Sequence, residues 1–191
     1  MDTLTAVGTN HRLHLMNRRD SSALNNEHLR EHVKELYPDY IYLHLGVNDV
    51  HQNFTVKQTL TNFYSFFLFA EEEIPRCKVF VSLPLYTGDP AANDRIAKIR
   101  RHISLFVNRV DNRSLKERIL FINPNNNFMK EGCLVPELYA TDMVHLTERG
   151  KSLILANMRH SIHEMTRIIL NKPRRERTRR SSQRVTSGSN R

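Results

Sequence analysis

The strongest constraint on the fold is a set of short apolar runs separated by longer amphipathic segments. The runs are YIYLHL at 40–45, KVFVSLP at 78–84 and RILFI at 118–122, and β-branched and aromatic residues are frequent in them. Apolar side chains at consecutive positions are typical of strands in a parallel sheet that helices cover on both faces. The sequence therefore predicts three buried strands, and a weaker alternation in HRLHLM at 11–16 predicts a short fourth one.

The segments between these runs have apolar residues at helical spacing. Helices are expected from about Asn25 to Leu36, from Thr55 to Glu73, in the segment with Ile96, Ile99 and Ile103, and from Thr147 to about Ile169. Helices and strands then alternate along the chain. This order predicts an α/β fold with three layers, α/β/α, in which right-handed crossovers connect the strands of a parallel sheet.

The positive charge of the chain is concentrated at its carboxyl end. The formal net charge of the 191 residues is +9, and residues 172–191 contain eight Lys or Arg and one Glu, which gives +7 and leaves +2 for residues 1–171. With Val185 as its single aliphatic residue, this tail lacks a basis for a packed core, and we expect it to be disordered. Its charge fits either nucleic-acid contact through phosphates or a solubilising role.

Length and composition predict one main domain at 25–171, preceded by a partial segment at 1–24 and followed by the basic tail at 172–191. No apolar stretch approaches the roughly 20 residues of a membrane span, and the amino terminus does not have the pattern of a secretory signal. We therefore expect an intracellular protein, cytoplasmic or nuclear, without a membrane partner. Six glycines without a Gly-x-Gly-x-x-Gly or Walker pattern argue against nucleotide enzymes, and we expect neither a cofactor nor a metal.

Two polar motifs fall at the carboxyl ends of the predicted strands. Gly46-Val47-Asn48-Asp49 follows the strand at 40–45, and Asp142 precedes His145 by three positions just before the last helix. An Asp-x-x-His spacing alone is weak, since about 0.4 matches are expected by chance in a chain of this composition. The topology gives it weight, because parallel sheets place their sites in the loops at this edge.

These motifs resemble those of the SGNH or GDSL-type hydrolases. The strand followed by Gly46-Val47-Asn48-Asp49 looks like the third conserved block of that family, and Asp142-Met143-Val144-His145-Leu146-Thr147 with Gly150 looks like the fifth. The resemblance covers roughly residues 25 to 170. It implies a flavodoxin-like fold and hydrolysis of carboxylic or acetyl esters by a Ser-His-Asp mechanism, with a small ester as the partner.

The resemblance also implies roles that the chemistry of the side chains allows. His145 would be the general base, and Asp142 would orient its imidazole and stabilise the protonated form. The Asn48 amide would bind the oxyanion of the tetrahedral intermediate, and Gly46 would let the backbone turn tightly after the strand. Asp49 is expected to order this loop rather than to react.

The nucleophile of the family does not have a counterpart in this sequence. The family places it in a Gly-Asp-Ser block after the first strand, and no Gly-Asp-Ser occurs here. Ser21 and Ser22 fall where the family has a second-block glycine whose N–H binds the oxyanion, while an alternative alignment of LTAVGTN puts Thr9 or Asn10 in the place of the serine. The simplest interpretation is a chain that begins after the first block, which leaves the nucleophile unknown.

Two expectations follow from the missing block. Loss of a central strand would leave the strand at Tyr40–Leu45 with an unpaired edge. Whether the protein is an active enzyme is left open by the sequence. The alternative to an esterase is an inactive relative, a pseudoenzyme, that acts as a binding protein or associates with nucleic acid through its tail.

Overall fold

The computed structural model describes residues 4–7, 20–109 and 113–171. The chain divides into two compact units, Met1–Leu155 and Ala156–Arg191. The first unit contains the sheet and all the predicted site residues, and the described part of the second is helical. The predicted strand at 11–16 and the basic tail at 172–191 lie outside the described residues.

The long helices and the parallel strands alternate along the chain as predicted. The strands are β1 Leu4–Val7, β2 Tyr40–His44, β3 Lys78–Ser82, β4 Ile119–Ile122, β5 Met129–Lys130 and β6 Cys133–Leu134. The helices are α1 Glu27–Leu36, α2 Val47–His51, α3 Val56–Glu72, α4 Pro90–Arg109, α5 Arg113–Arg118, α6 Asn125–Phe128 and α7 Glu148–Asn171, with 3₁₀ turns at Ser21–Asn25 and Pro136–Leu138.

The main sheet has the strand order β1-β2-β3-β4. Strands β2, β3 and β4 are parallel, with Tyr40 opposite Lys78 and Val79 opposite Ile119. The three predicted strands and the α/β fold are therefore confirmed. Because β2 and β3 run in the same direction, the loops that follow His44 and Ser82 leave the sheet at the same edge, which we call the carboxyl edge.

The prediction that β2 has an unpaired edge is wrong. Residues Leu4–Val7 form β1 and pair with β2 in the antiparallel direction, with Leu4 opposite Leu43 and Val7 opposite Tyr40. The amide and carbonyl groups of β2 on this side therefore have a neighbouring strand, as buried backbone groups require. Since β1 is antiparallel, its last residue, Val7, lies beside the first residue of β2, at the edge opposite the carboxyl edge.

Both faces of the central strands are buried, which explains their continuous apolar sequence. In β3 the consecutive residues Val79, Phe80 and Val81 are each at most 1% exposed. One face joins the hydrophobic core cluster, whose other members come mainly from helices α1, α3 and α4: Leu29, Val33, Phe63, Phe66, Phe67, Ile96, Ile99 and Ile103. The helical periods predicted from the sequence thus supply the core side chains.

Local capping fixes the ends of the first two long helices. The Asn26 side chain accepts a hydrogen bond from the Leu29 N–H at 3.0 Å, and α1 ends at Leu36, before Pro38. Thr55 and Gln58 form a capping box at the start of α3. These signals are readable in the sequence, and the helix ends agree with the prediction to within two residues.

The short elements were not predicted. Helix α2 occupies part of a segment expected to be a loop, and α5, α6, the β5–β6 hairpin and the 3₁₀ turns were missed as well. They have two to six residues each, which is too short for a periodic pattern to develop. Among the described helices, none combines the length and the apolar character needed to cross a membrane.

Candidate active site

The Asp142–His145 turn forms a closed hydrogen-bonded unit. His145 Nδ1 lies 2.5 Å from Asp142 Oδ2. The other carboxylate oxygen of Asp142, Oδ1, accepts the backbone N–H groups of Val144 and His145, each at 2.9 Å. The backbone N–H groups of the turn therefore hold the Asp142 carboxylate, and the carboxylate holds the imidazole ring of His145.

This arrangement fixes the chemistry available to the imidazole. A carboxylate on Nδ1 favours a proton on that nitrogen and leaves Nε2 as the basic nitrogen. The side chains of His145 and Asp142 are 63% and 48% exposed, so the pair is accessible to a molecule from solution. The hydrogen bond to His145, followed by the two backbone N–H groups, holds the pKa of Asp142 well below its usual range, which keeps this carboxylate ionised.

The second motif forms a tight turn directly after β2. Gly46 has φ +106°, a conformation that side chains with Cβ rarely adopt, and helix α2 begins at the next residue. A Cβ atom at Gly46 would lie 2.7 Å from Cγ of Pro84 in the loop after β3. The turn therefore needs glycine for its backbone and for its packing, and it places Asn48 in the first turn of α2 at the carboxyl edge.

Asp49 lies under this turn and is fully buried. Its Oδ2 accepts the Ser21 N–H at 3.0 Å, and its Oδ1 accepts the Ser21 hydroxyl and the Thr59 hydroxyl, the latter at 3.0 Å. Burial raises the pKa of Asp49, and the bonds from Ser21 and Thr59 oppose this effect. The carboxylate thus connects α2 to the 3₁₀ turn at Ser21 and to α3.

The loop after β3, residues 83–89, contacts both motifs. Pro84 packs on Gly46, and the Gly88 N–H donates to the carbonyl of Met143 at 2.9 Å. A Cβ at Gly88 would lie 2.6 Å from Cβ of Met143, so glycine permits this close approach. Since Gly88 follows Pro84 by four positions, at most about 14 Å of chain spans the two contacts. The structure thus brings both motifs to one loop at the carboxyl edge.

The serines near the expected second block are engaged within the protein. Ser21 is fully buried and bonds to Asp49 through both its N–H and its hydroxyl. The N–H of Ser22 donates to Asp20 Oδ1 at 2.8 Å, and its hydroxyl donates to the same oxygen. Both backbone donors that could take the place of the family glycine therefore have acceptors already. Thr9 and Asn10 lie outside the described residues.

Two residues that support the loops of the site, Arg100 and Tyr139, were not predicted from the sequence. Arg100 bonds to the loops after β3 and β4, and the Tyr139 hydroxyl donates to the carbonyl of Tyr86 at 2.9 Å. A signal for Arg100 exists in the sequence, because it lies next to Ile99 and four residues after Ile96, beside the buried face of α4. Tyr139 carries no comparable signal, since its partner is 53 residues away.

Comparison with known proteins gives matches at the level of structure. No family model matches the sequence, and no curated protein matches it.

Within the described residues, no three His, Cys, Asp or Glu side chains are close enough to share a metal ion.

Several solved structures share the fold. A GDSL-like lipase from Bacteroides thetaiotaomicron has a TM-score of 0.61 at 22% identity, over 77% of this chain and 72% of that one. A carbohydrate esterase of family 3 from Talaromyces cellulolyticus has a TM-score of 0.63 at 15% identity, over 77% and 68% of the two chains. An acetyl esterase variant solved with an acetate ion has a TM-score of 0.65 at 14% identity, over 79% and 70%.

These matches cover most of both chains in each pair. The parallel strands β2–β4 and the helices between them are what the sequence resemblance led us to expect. The chain therefore has the fold of the SGNH or GDSL-type hydrolases.

Proposed function

We propose that this domain hydrolyses small carboxylic or acetyl esters at the carboxyl edge of its sheet, with His145 as the general base and acid. The observation that carries this proposal is the bond of 2.5 Å between His145 Nδ1 and Asp142 Oδ2 in an exposed turn. Two backbone N–H groups hold the same carboxylate, so the couple is formed before a substrate binds. The esterases and lipases that share the fold support the choice of substrate class.

In this proposal a water molecule supplies the oxygen that attacks the ester carbonyl. Ser21 is buried and bonded to Asp49, while Ser82 is buried with its hydroxyl 2.9 Å from Nδ1 of His44. Ser22 is exposed, but its hydroxyl is bonded to Asp20. None of these hydroxyls has the exposed partnership with a basic imidazole that a nucleophilic serine needs.

The reaction then proceeds without a covalent intermediate. Nε2 of His145 takes a proton from water, whose oxygen attacks the ester carbonyl carbon, and Asp142 stabilises the imidazolium. The Asn48 amide donates to the oxyanion of the tetrahedral intermediate. When the intermediate collapses, the carbon–oxygen bond to the leaving group breaks and His145 returns the proton to the departing alkoxide. Asp49 holds the Asn48 turn and takes no part in proton transfer.

Hydrolysis of p-nitrophenyl acetate by the purified protein tests this proposal. We expect a slow turnover above the buffer rate that His145→Ala abolishes, because general acid–base catalysis is worth about 10² to 10⁴. His102→Ala is the matched control, since His102 is an exposed histidine on α4, and it should keep the wild-type rate. A wild-type rate equal to that of His145→Ala would exclude the proposal.

A fluorophosphonate probe tests the nature of the nucleophile separately. We expect no labelled residue, because the attacking group is water. A labelled serine or threonine would mean that this side chain, and not water, attacks the ester. The role of His145 as the base would stay the same.

A second role, association with nucleic acid through residues 172–191, has one observation in its favour: eight Lys or Arg against one Glu. Filter binding of RNA should then weaken steeply with salt and disappear on deletion of this tail. Unchanged binding by the truncated chain would contradict this role.

A further inference from the structure

We propose that Arg100 is a positioning residue, which holds the loop at 83–89 so that the Asp142–His145 turn keeps its hydrogen bond. Arg100 lies on α4, and its guanidinium group bonds to Pro84 and Asn123 in the neighbouring loops. This inference rests on the proposed function only in treating the Asp142–His145 pair as catalytic. Successive contacts lead from the guanidinium group through the loop at 83–89 to the turn.

The guanidinium group joins two loops of the carboxyl edge. Its Nη1 donates to the Pro84 carbonyl at 2.6 Å, in the loop after β3, and its Nη2 donates to Asn123 Oδ1 at 2.7 Å, in the loop after β4. It also lies over the ring of Tyr86, 5.2 Å from the centroid. Burial lowers the pKa of Arg100. A cation withdrawn from solvent in this way is stabilised by the acceptors and the ring around it.

The Asn125 side chain adds to this junction. In one amide orientation its Oδ1 accepts the Tyr86 N–H at 3.4 Å. In the other orientation the oxygen accepts from Arg100 Nη1 at 2.8 Å and from Nη2 at 3.3 Å. The second orientation replaces one long bond by two shorter, charge-assisted ones and is therefore favoured. The acceptors then match the planar fork of an arginine, which a lysine cannot reproduce.

The loop held by Arg100 contacts the segment of the candidate base at two points. The hydroxyl of Tyr139, a residue 4% exposed, donates to the Tyr86 carbonyl at 2.9 Å, and the Gly88 N–H donates to the Met143 carbonyl at 2.9 Å. Met143 lies between Asp142 and His145, with φ +55°. A shift of the loop is therefore transmitted to the backbone that sets the imidazole–carboxylate distance.

The test is the tautomer of His145, read from the ring nitrogen resonances at a pH where the imidazole is neutral. Asp142 should hold the wild-type ring in the Nδ1–H form, and Asp142→Asn provides the reference for loss of this control. We expect Arg100→Lys to lower the Nδ1–H fraction severalfold toward that reference. Arg101→Lys is the matched control, because Arg101 is an exposed neighbour on the same helix, and it should leave the fraction unchanged.

Two outcomes overturn the proposal. The first is a wild-type tautomer fraction in folded Arg100→Lys, and the second is an equal change in Arg100→Lys and Arg101→Lys. If Arg100→Lys does not fold, Tyr139→Phe takes its place, because it removes only the hydroxyl bond to the Tyr86 carbonyl. This variant should lower the Nδ1–H fraction of His145 by a smaller amount. An unchanged fraction in Tyr139→Phe would then overturn the proposal. The resonances do not depend on turnover, so failure of the esterase assay leaves this test valid.

Discussion

Asp49 and Asp142 are both carboxylates at the carboxyl edge that accept three hydrogen bonds from protein groups, yet their environments differ. Asp49 is fully buried and its pKa is raised, whereas Asp142 is 48% exposed and its pKa is lowered. Desolvation is the largest influence on Asp49, and the hydrogen bond to His145 is the largest on Asp142. Burial, and not the number of donors, decides the direction.

The comparison separates structural from chemical use of the same residue type. A buried carboxylate that satisfies buried donors is costly to remove, because the donors lose their partners. An exposed carboxylate adds little to stability, since solvent screens it, but it can control the tautomer of a neighbouring imidazole. We therefore expect substitution of Asp49 to affect folding and substitution of Asp142 to affect chemistry.

The largest effect is expected for Asp49→Asn. This change replaces one acceptor oxygen by an NH₂ donor, so in either amide orientation at least one of the Ser21 and Thr59 donors loses its acceptor, and we expect the free energy of unfolding to fall by about 3 kcal/mol. Urea unfolding measures this change, with Asp94→Asn, an exposed carboxylate on α4, as the control. A loss no larger than that of the control would break the distinction between the two aspartates.

Asp142→Asn should have the converse effect. We expect hydrolysis of p-nitrophenyl acetate above the buffer rate to fall by about a hundredfold, because the imidazole loses its orientation. The free energy of unfolding should change by less than about 1 kcal/mol, since the pair is exposed. Initial rates and urea unfolding of the same preparation test both statements. Retention of the wild-type rate would show that Asp142 does not serve His145.

Gly46→Ala sharpens the comparison by disturbing the turn that Asp49 supports. We expect it to lower the free energy of unfolding by about 2 kcal/mol more than Gly132→Ala does. Both glycines have positive φ, +106° and +82°, but a Cβ at Gly132 meets no atom within 4 Å while one at Gly46 meets Pro84. Paired urea unfolding curves isolate the packing contribution, and equal losses would mean that backbone strain alone matters.

The smallest effect is a difference in pH dependence between the two aspartates. The lowered pKa of Asp142 stabilises the fold above the unfolded value of 3.8, and this contribution is lost as pH falls through the folded pKa. The raised pKa of Asp49 acts oppositely: its contribution is fully present below 3.8 and is lost as pH rises through the folded pKa.

Urea unfolding between about pH 3 and 7 measures this difference. The stability gap between wild type and Asp142→Asn should narrow as pH falls, by less than about 1 kcal/mol because the carboxylate is exposed. The gap between wild type and Asp49→Asn should widen over the same range. Slopes of the same sign for both variants would contradict the opposite pKa shifts.

The central strands and long helices could be predicted because their signals are local. Consecutive apolar residues such as Val79, Phe80 and Val81 require cover on both faces of a strand, and Asn26 and Thr55 cap helices through neighbours in sequence. The candidate turn at Asp142 and His145 was visible for the same reason, since its bonds join residues two or three positions apart.

The contacts between distant segments could not be predicted in this way. The bond from Ser21 to Asp49 joins residues 28 positions apart, and that from Tyr139 to Tyr86 joins residues 53 apart. The pairing of β1 with β2 depends on which edge of the sheet is open, a property that no residue of Leu4–Val7 carries by itself.

The sequence by itself thus determined the parallel α/β architecture and indicated the turn at Asp142 and His145 as a candidate site, because periodicity and short spacing are properties of neighbouring residues. The tertiary structure alone decided that the loop at 83–89 joins the Gly46 turn to the Asp142–His145 turn and that Arg100 holds this loop. These contacts depend on the packing of loops from different strands at one edge of the sheet, and such packing exists only once the chain has folded.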